Sequence, residues 1–298
     1  MAATFLYCIG AAKAGTTWLA RALRNHDQAA LPPIKETHYF DSVENGSSIW
    51  ALDQLIRVRS DVRAEMAASS DDKTRARNTR RVQEIDRWLA LVGAQRRNDA
   101  MYQKLMMRPV GPAHRVVADV TPAYALLKSD TYARMAALNE GRTRFLMILR
   151  DPIDRLWSNI AMTVTRRTEK GMPFDAARAT VLAEVTRSKD NPERARSDYV
   201  GTLDRLESAV PADQRMVLFF EDLFQSETLT KLSRFLGLDT PLEGPKERIN
   251  AGTGLQMNSA ERAQLADLLR PQYSNIQSRL GSLPQRWQDN LEESMVTS

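Results

Sequence analysis

The apolar run Phe5-Leu6-Tyr7-Cys8-Ile9 breaks at Gly10, and from Gly15 onward Trp18, Leu19, Ala22 and Leu23 recur at helical spacing. An apolar run rich in aromatic and branched residues reads as a buried strand. Strand, glycine-bounded loop and helix in direct succession restrict the chain to an α/β sheet whose first turn is an anion site. Unpaired N–H groups at the start of the helix point outward there, and the helix carries roughly half a positive charge at that end.

The segment Gly10-Ala11-Ala12-Lys13-Ala14-Gly15-Thr16-Thr17 has the glycine spacing of a Walker A loop, with one departure. Thr16 stands where the Walker lysine belongs, and the only lysine, Lys13, sits inside the loop. A lysine there lies beside the bridging oxygens of a bound phosphate and acts as a point charge. The bland alternative is an ordinary strand-to-helix turn with an incidental lysine. The coincidence of two glycines, a lysine and paired threonines directly after a strand disfavours it.

With 298 residues, 43% of them apolar, the chain can bury a substantial core. Its net charge of +5 suits an anionic ligand without implying nucleic acid. The single cysteine, Cys8, sits mid-strand and excludes an intramolecular disulfide framework, so core packing is its expected job. The first strand starts close to Met1, which leaves no room for a signal segment before it, and no apolar run is long enough to span a membrane. A cytoplasmic chain is expected. The sequence says nothing about oligomeric state.

Further along, Gln28–Leu31 forms a short second strand stopped by Pro32-Pro33. The next segment, Ile34-Lys35-Glu36-Thr37-His38-Tyr39-Phe40-Asp41, concentrates two acids, a histidine and two aromatics in eight residues. Loops after parallel strands gather at one sheet edge, where ligands bind. In an extended segment Glu36 and His38 face the same cavity; otherwise this is a surface turn anchored by its aromatics. Between about 48 and 110 the pattern is helical. Trp50, Leu52, Leu55, Ile56 and Val62, then Val82, Ile85, Trp88, Leu89 and Val92, recur around a polar, basic connection from Ser69 to Arg81. This is a helical insertion with a charged connection, and the arginines of that stretch either steer an anionic acceptor or form a solvated helix face.

Arg115–Val120 reads as a third strand running into a turn forced by Pro122, followed by a helix over about 125–139. Arg144–Leu149 is a fourth strand, buried on both faces. It ends in Arg150-Asp151-Pro152-Ile153-Asp154-Arg155-Leu156-Trp157-Ser158. Asp151 suits an N-cap and Pro152 the first helical position. Arg150 at the strand end, with the Ser158 hydroxyl two turns deeper, makes a site for a second phosphate apart from Lys13. The alternative is a capped helix with a structural Asp151–Arg155 pair. Helices over 174–186 and 196–209, a fifth strand at Met216–Phe220 and a helix near Thr228–Leu236 follow. A basic glycine-rich loop, 244–254, either closes over a nucleotide or only connects. The last helix runs from an N-cap Ser259 to Leu280, with a polar tail. There are no repeats and no break clean enough to split the chain, so 1–298 reads as one domain. Alternating strands and helices predict a parallel sheet covered on both faces.

Lys13-Ala14-Gly15-Thr16-Thr17-Trp18 and Arg150-Asp151-Pro152-x-x-Arg155-x-x-Ser158 resemble the two cofactor motifs of the sulfotransferases that use 3′-phosphoadenosine 5′-phosphosulfate (PAPS). The resemblance spans most of the chain and is thinnest over the helical insertion. It implies a three-layer P-loop-type α/β fold with a central parallel sheet of about five strands. It also implies PAPS as donor, the bisphosphate PAP as product, and no metal. On this likeness Lys13, Ala14, Gly15, Thr16 and Thr17 hold the 5′-phosphosulfate and Trp18 lies against the adenine. Arg150 and Ser158 then hold the 3′-phosphate, with Arg248 in a loop like the one that closes on it. Glu36-Thr37-His38-Tyr39-Phe40-Asp41 is similar to the Glu-x-His-Phe-Phe-Asp stretch of heparan sulfate sulfotransferases, whose Glu is the catalytic base, and to bacterial sulfotransferases. Thr121-Pro122-Ala123-Tyr124 resembles a turn near the acceptor, so Asp41 and Tyr124 are expected at the acceptor site.

The chemistry agrees with that likeness. Sulfuryl transfer needs an acceptor O–H or N–H deprotonated as it attacks in line, a task for Glu36, helped or replaced by His38. Lys13 and the loop amides stabilise charge on the leaving oxygen. The expected activity is sulfation of a hydroxyl, or an amine, on a carbohydrate, lipid or small metabolite. The alternatives are a P-loop kinase or NTPase, and a non-catalytic nucleotide-binding protein of the same fold.

Overall fold

In the computed structural model the chain is described over residues 3–46, 48–188, 191–245 and 254–296. Its centre is a five-stranded, wholly parallel sheet in the order β2-β3-β1-β4-β5. The strands are β1 (Thr4–Gly10), β2 (Ala29–Ala30), β3 (Val116–Val120), β4 (Thr143–Leu149) and β5 (Arg215–Phe219). β1 and β4 read as continuous apolar runs because helices cover both faces of the sheet, and Phe5 to Ile9 and Phe145 to Leu149 are fully buried. Cys8 lies in this core, where burial pushes its thiol up to about 12 and leaves it without nucleophilic character at neutral pH.

β1 is followed by α1 (Thr16–Arg24), and β2 leads through a loop into α2 (Tyr39–Asn45). The insertion is three helices, α3 (Ser48–Ala68), α4 (Asp72–Gly93) and α5 (Asp99–Met107). Here the expected long basic connection is corrected. Asp71 caps α4, accepting from the Lys73 and Thr74 backbone N–H groups, so only residues 69–71 connect α3 to α4. The arginines from Arg75 to Arg81 lie on an exposed face of α4. Thr79 donates to Met66 Sδ near the end of α3, which puts this stretch roughly 24 Å along the hairpin from Trp50 at about 1.5 Å per residue.

β3 runs into a 3₁₀ turn at Pro122–Leu126, then α6 (Ser129–Ala137). After β4 come α7 (Pro152–Glu169), α8 (Phe174–Arg187), the single-turn α9 (Pro192–Ala195) and α10 (Tyr199–Ala209). After β5 come α11 (Ser226–Leu236), α12 (Ser259–Leu280) and α13 (Gln285–Val296). The cap of α12 is Asn258 rather than Ser259, in a capping box with Glu261. α13 replaces the expected polar tail. Its Trp287 is buried against Phe219, Tyr199 and Tyr273, and so ties the C-terminal segment to the sheet. No helix among the described residues is long and apolar enough to cross a membrane.

β1 lies between β3 and β4, and this order decides what meets at the carboxyl edge of the sheet. The loops after β1, β3 and β4 open side by side, at the point where the strand order reverses direction.

Candidate active site

The loop after β1 is shaped by its two glycines. A Cβ on Gly10 would stand 2.8 Å from Met147 Sδ, and one on Gly15, at φ +80°, would stand 2.9 Å from Leu223. Only a residue without a Cβ lets the chain turn there beneath β4 and the β5 turn. Lys13 also has positive φ, at 69°. Ala14 and Thr16 are buried, Thr17 is half-buried, and α1 begins at Thr16.

Lys13 makes no ion pair among the described residues; its Nζ reaches Met162 Sδ at 3.6 Å. Burial first, then the charges of Arg150, Arg155 and Arg166, lower its pKa. Arg150 Nη1 donates to the Lys13 carbonyl at 3.0 Å, and its guanidinium lies 5.2 Å from the Phe220 ring centre. Arg155 is completely buried. Its Nη2 donates to the Glu193 carbonyl and Ser197 Oγ, both at 2.6 Å, while Nε and Nη1 find no hydrogen-bond partner among the described residues. The alternative Asp151–Arg155 pair is therefore not formed. Asp151 instead caps α7 through Asp154 N–H and accepts from Tyr273 OH at 2.7 Å. Ser158 is half-buried one turn beyond Arg155. Arg248 lies outside the described residues.

The result is a group of cations around a glycine turn, none of them in an ion pair among the described residues, in an interior where unpaired charge is costly. An anion resolves it. The loop therefore fits a phosphate-bearing donor on three features of this chain: two positions closed to any Cβ, a lysine in no ion pair among the described residues, and a buried arginine with unmet donors.

Trp18 is 8% exposed. Its Nε1 donates to the Pro245 carbonyl at 3.2 Å, Phe224 meets its ring edge-on, and a Cβ on Gly244 would fall inside the indole. It is a wall of the cleft, packed from behind.

The second half of the site comes from the loop after β2. Lys35 Nζ donates to Glu36 Oε1 at 2.6 Å and to Thr16 Oγ1 at 3.3 Å. His38 Nε2 lies 3.3 Å from Glu36 Oε2, and its Nδ1 donates to Asp41 Oδ2 at 2.8 Å. Burial pushes the Glu36 carboxyl up, but His38 and Lys35 together outweigh it and hold the group at about 2. Burial likewise pushes His38 down, and is outweighed by the hydrogen bond to Asp41 and by Glu36, which raise it to about 9. Glu36 is thus a carboxylate and His38 an imidazolium at neutral pH. The segment is not extended as expected: His38 is left-handed, at φ 52°, and α2 starts at Tyr39. Glu36 and His38 still meet, because the turn folds the imidazole back onto the carboxylate.

Behind this pair sits Asp119, fully buried near the end of β3, beside β1. It accepts from Thr37 Oγ1 (2.6 Å), Thr121 Oγ1 (2.5 Å), Tyr102 OH (2.9 Å) and Tyr124 OH (3.0 Å). Tyr124, expected at the acceptor, is fully buried in this cluster and presents no surface to a ligand. Asp41 lies behind His38, also buried. Sequence reasoning missed Lys35 and Asp119 as site-shaping residues, and placed Arg155 in the cofactor motif without a role of its own. Lys35 stands next to Glu36 and reads as an ordinary surface ion pair until the fold brings Thr16 to it.

Three comparisons bear on this geometry. A family model described as "Sulfotransferase family" matches residues 6–241. A crystal structure of a sulfotransferase from Alicyclobacillus acidocaldarius aligns with TM-score 0.62 and 20% identity, covering 97% of this chain and 100% of that one. The sulfotransferase domain from the Synechococcus PCC 7002 olefin synthase aligns with TM-score 0.46 and 17% identity over 99% of this chain and 93% of its own. One from the curacin biosynthetic pathway aligns with TM-score 0.47 and 16% identity, covering 98% and 97%. A search of curated proteins finds no match.

Proposed function

The chain belongs to the sulfotransferase family, and from that premise we propose that it uses PAPS as donor and sulfates an acceptor hydroxyl with Glu36 as the base. The observation that carries the donor half is Lys13. It is a lysine placed inside the glycine turn rather than after it, in no ion pair among the described residues, with Arg150 bound to its own carbonyl. On this reading Lys13, the 14–17 amides and Thr16 and Thr17 hold the 5′-phosphosulfate, Arg150 and Ser158 take the 3′-phosphate, and Arg155 adds buried positive charge beneath them. Trp18 walls the adenine side. When bound, the donor supplies an activated sulfuryl group and a leaving phosphate.

The remaining work belongs to the chain. Glu36 takes the acceptor's proton as its oxygen attacks, while Lys13 and the loop amides hold the negative charge that grows on the departing oxygen. His38 carries a proton already, so it orients Glu36 and keeps it ionised rather than serving as a second base. Lys35 restrains the basicity of Glu36, and proton acceptance requires that contact to loosen as the acceptor arrives. A kinase-like reading needs a carboxylate available to a metal beside the phosphates. Asp119 lies on the appropriate strand, next to β1, but spends its oxygens on four hydroxyl donors.

Calorimetric titration with adenosine 3′,5′-bisphosphate, against ATP with magnesium, tests the donor assignment. Micromolar or tighter binding to the bisphosphate, lost in Arg150→Ala and in Lys13→Ala, is expected. Preference for ATP with magnesium overturns it.

A further inference from the structure

The first turns of α3 carry apolar surface that the core does not use. Ile49 is 81% exposed and Trp50 is 49% exposed, and with Gly46 and Asp53 they line an open cavity of about 560 Å³. Adjacent large apolar side chains left in water mark a place where something binds. What ties this patch to the chemistry is His38. The Trp50 indole meets the imidazole edge to face, with ring centres 4.8 Å apart, and the same imidazole lies 3.3 Å from the Glu36 carboxylate. A molecule resting on Trp50 is therefore one ring away from the proposed base.

The patch also has a chemical character. Its aromatic and aliphatic members stand side by side, and its only charged member, Asp53, is paired with Arg57 at 2.8 Å. Its described lining residues include no lysine or arginine to bind an anionic acceptor, the neighbouring Arg57 being engaged by Asp53, and few donors to read a sugar's hydroxyls. The basic stretch from Arg75 to Arg81 lies toward the far end of the helical hairpin.

We propose that Trp50 and Ile49 form the platform for the acceptor's body, and that the acceptor is an uncharged alcohol carrying a hydrocarbon chain. This rests on the sulfotransferase reading for its purpose and stands separately from it for its test. Trp50 takes the chain on its exposed face, Ile49 extends the contact away from the site, and the hydroxyl end points toward Glu36.

The probe is a series of primary n-alcohols from 1-hexanol to 1-decanol, titrated calorimetrically into the full chain and into Trp50→Ala and Ile49→Ser. Both side chains are solvent-exposed enough for the variants to fold, which circular dichroism checks. Affinity is expected to rise about fourfold per added methylene, the ratio for ~0.8 kcal/mol per buried CH₂, and the slope to be lost in Trp50→Ala and reduced in Ile49→Ser. No rise with chain length, or a rise that both variants retain, overturns the platform. If the alcohols bind with this slope while the bisphosphate does not bind, the platform stands and the donor reading fails. If the bisphosphate binds and no alcohol does, the donor reading stands and the platform fails.

Discussion

Lys35 Nζ donates to Thr16 Oγ1 across 3.3 Å, so a side chain from the loop after β2 reaches the first residue of α1. The same ammonium is 2.6 Å from Glu36 Oε1. The phosphate loop and the proposed base are thereby joined through one cation. Any anion entering the loop competes with Glu36 for it, and any acceptor approaching Glu36 must work against it. On the proposed reading, the donor and acceptor sites share a group.

Replacing that group isolates its effect. In Lys35→Met the Glu36 carboxylate keeps His38 but loses its second cation, so its pKa rises from about 2 toward the usual carboxylate range. A base of higher pKa must be deprotonated at higher pH, and the acid limb of the kcat/KM profile is expected to move up by a unit or more. An acid limb that stays where the parent enzyme has it removes Lys35 from the argument. Bisphosphate affinity, measured beside it, should weaken much less than in Lys13→Ala.

Asp119→Ala is expected to unfold the site from beneath. It leaves the hydroxyls of Thr37, Thr121, Tyr102 and Tyr124 without their acceptor in a dry interior, at ~1–3 kcal/mol for each one not rescued by water. A loss of about 3 kcal/mol or more in urea unfolding follows. Thr37 also stands between Glu36 and His38, so turnover should fall even at temperatures where the variant is folded. Stability within 1 kcal/mol of the parent would show that the cluster is not what anchors this loop.

How far these features could be read in advance depended on whether their cause was local. Gly10, Gly15, Asp151 and Pro152 act through their own backbone, and the turn after β1 and the start of α7 fall where the sequence put them. Glu36 and His38 were legible as a pair, though their geometry was not, because His38 needs a left-handed backbone that no residue type announces. Lys35 and Asp119 were hidden because their partners, Thr16, Thr37, Tyr102 and Tyr124, come from elements brought together only by the strand order. Asp119 is the one charged residue of β3, set among four apolar ones. Trp50 matches a helical period in the insertion, and periodicity cannot tell a stripe facing the sheet from one facing a cleft. α13 was legible and overlooked: Leu283, Trp287 and Leu291 recur at four-residue intervals.

Asp151 makes a pH-dependent prediction away from the reaction. Burial, and then the charge of Asp154, push its carboxyl up to about 7, even though it accepts bonds from Asp154 N–H and Tyr273. The native state therefore keeps a proton that the unfolded chain releases near pH 4, and stability falls as pH rises from about 4 to 7. Asn caps helices as well as Asp does and carries no proton to lose. The melting temperature of Asp151→Asn, relative to the parent, should climb between pH 5 and pH 8. A constant offset across that range would mean Asp151 is ionised throughout.

His38 changes stability in the same direction but over a higher pH window. Its folded pKa, about 9, lies above the ordinary value of 6.5. The stabilisation it receives from Asp41 and Glu36 is thus fully present below pH 6.5 and is lost as pH rises through 9. Glu36, held at about 2, is ionised across this whole range, and Asp151, at about 7, finishes ionising in its lower part in parent and variant alike, so neither contributes to the difference between them. In His38→Gln the side chain can still bond Asp41 but cannot carry charge. The parent's advantage over this variant is expected to be on the order of 2–3 kcal/mol at pH 6 and to shrink steadily toward pH 10. Denaturant midpoints at pH 6, 8 and 10 measure it. An advantage that is the same at pH 6 and pH 10 means His38 is neutral between its two carboxylates, and the role of second base, denied to it here on the ground of its proton, would return to it.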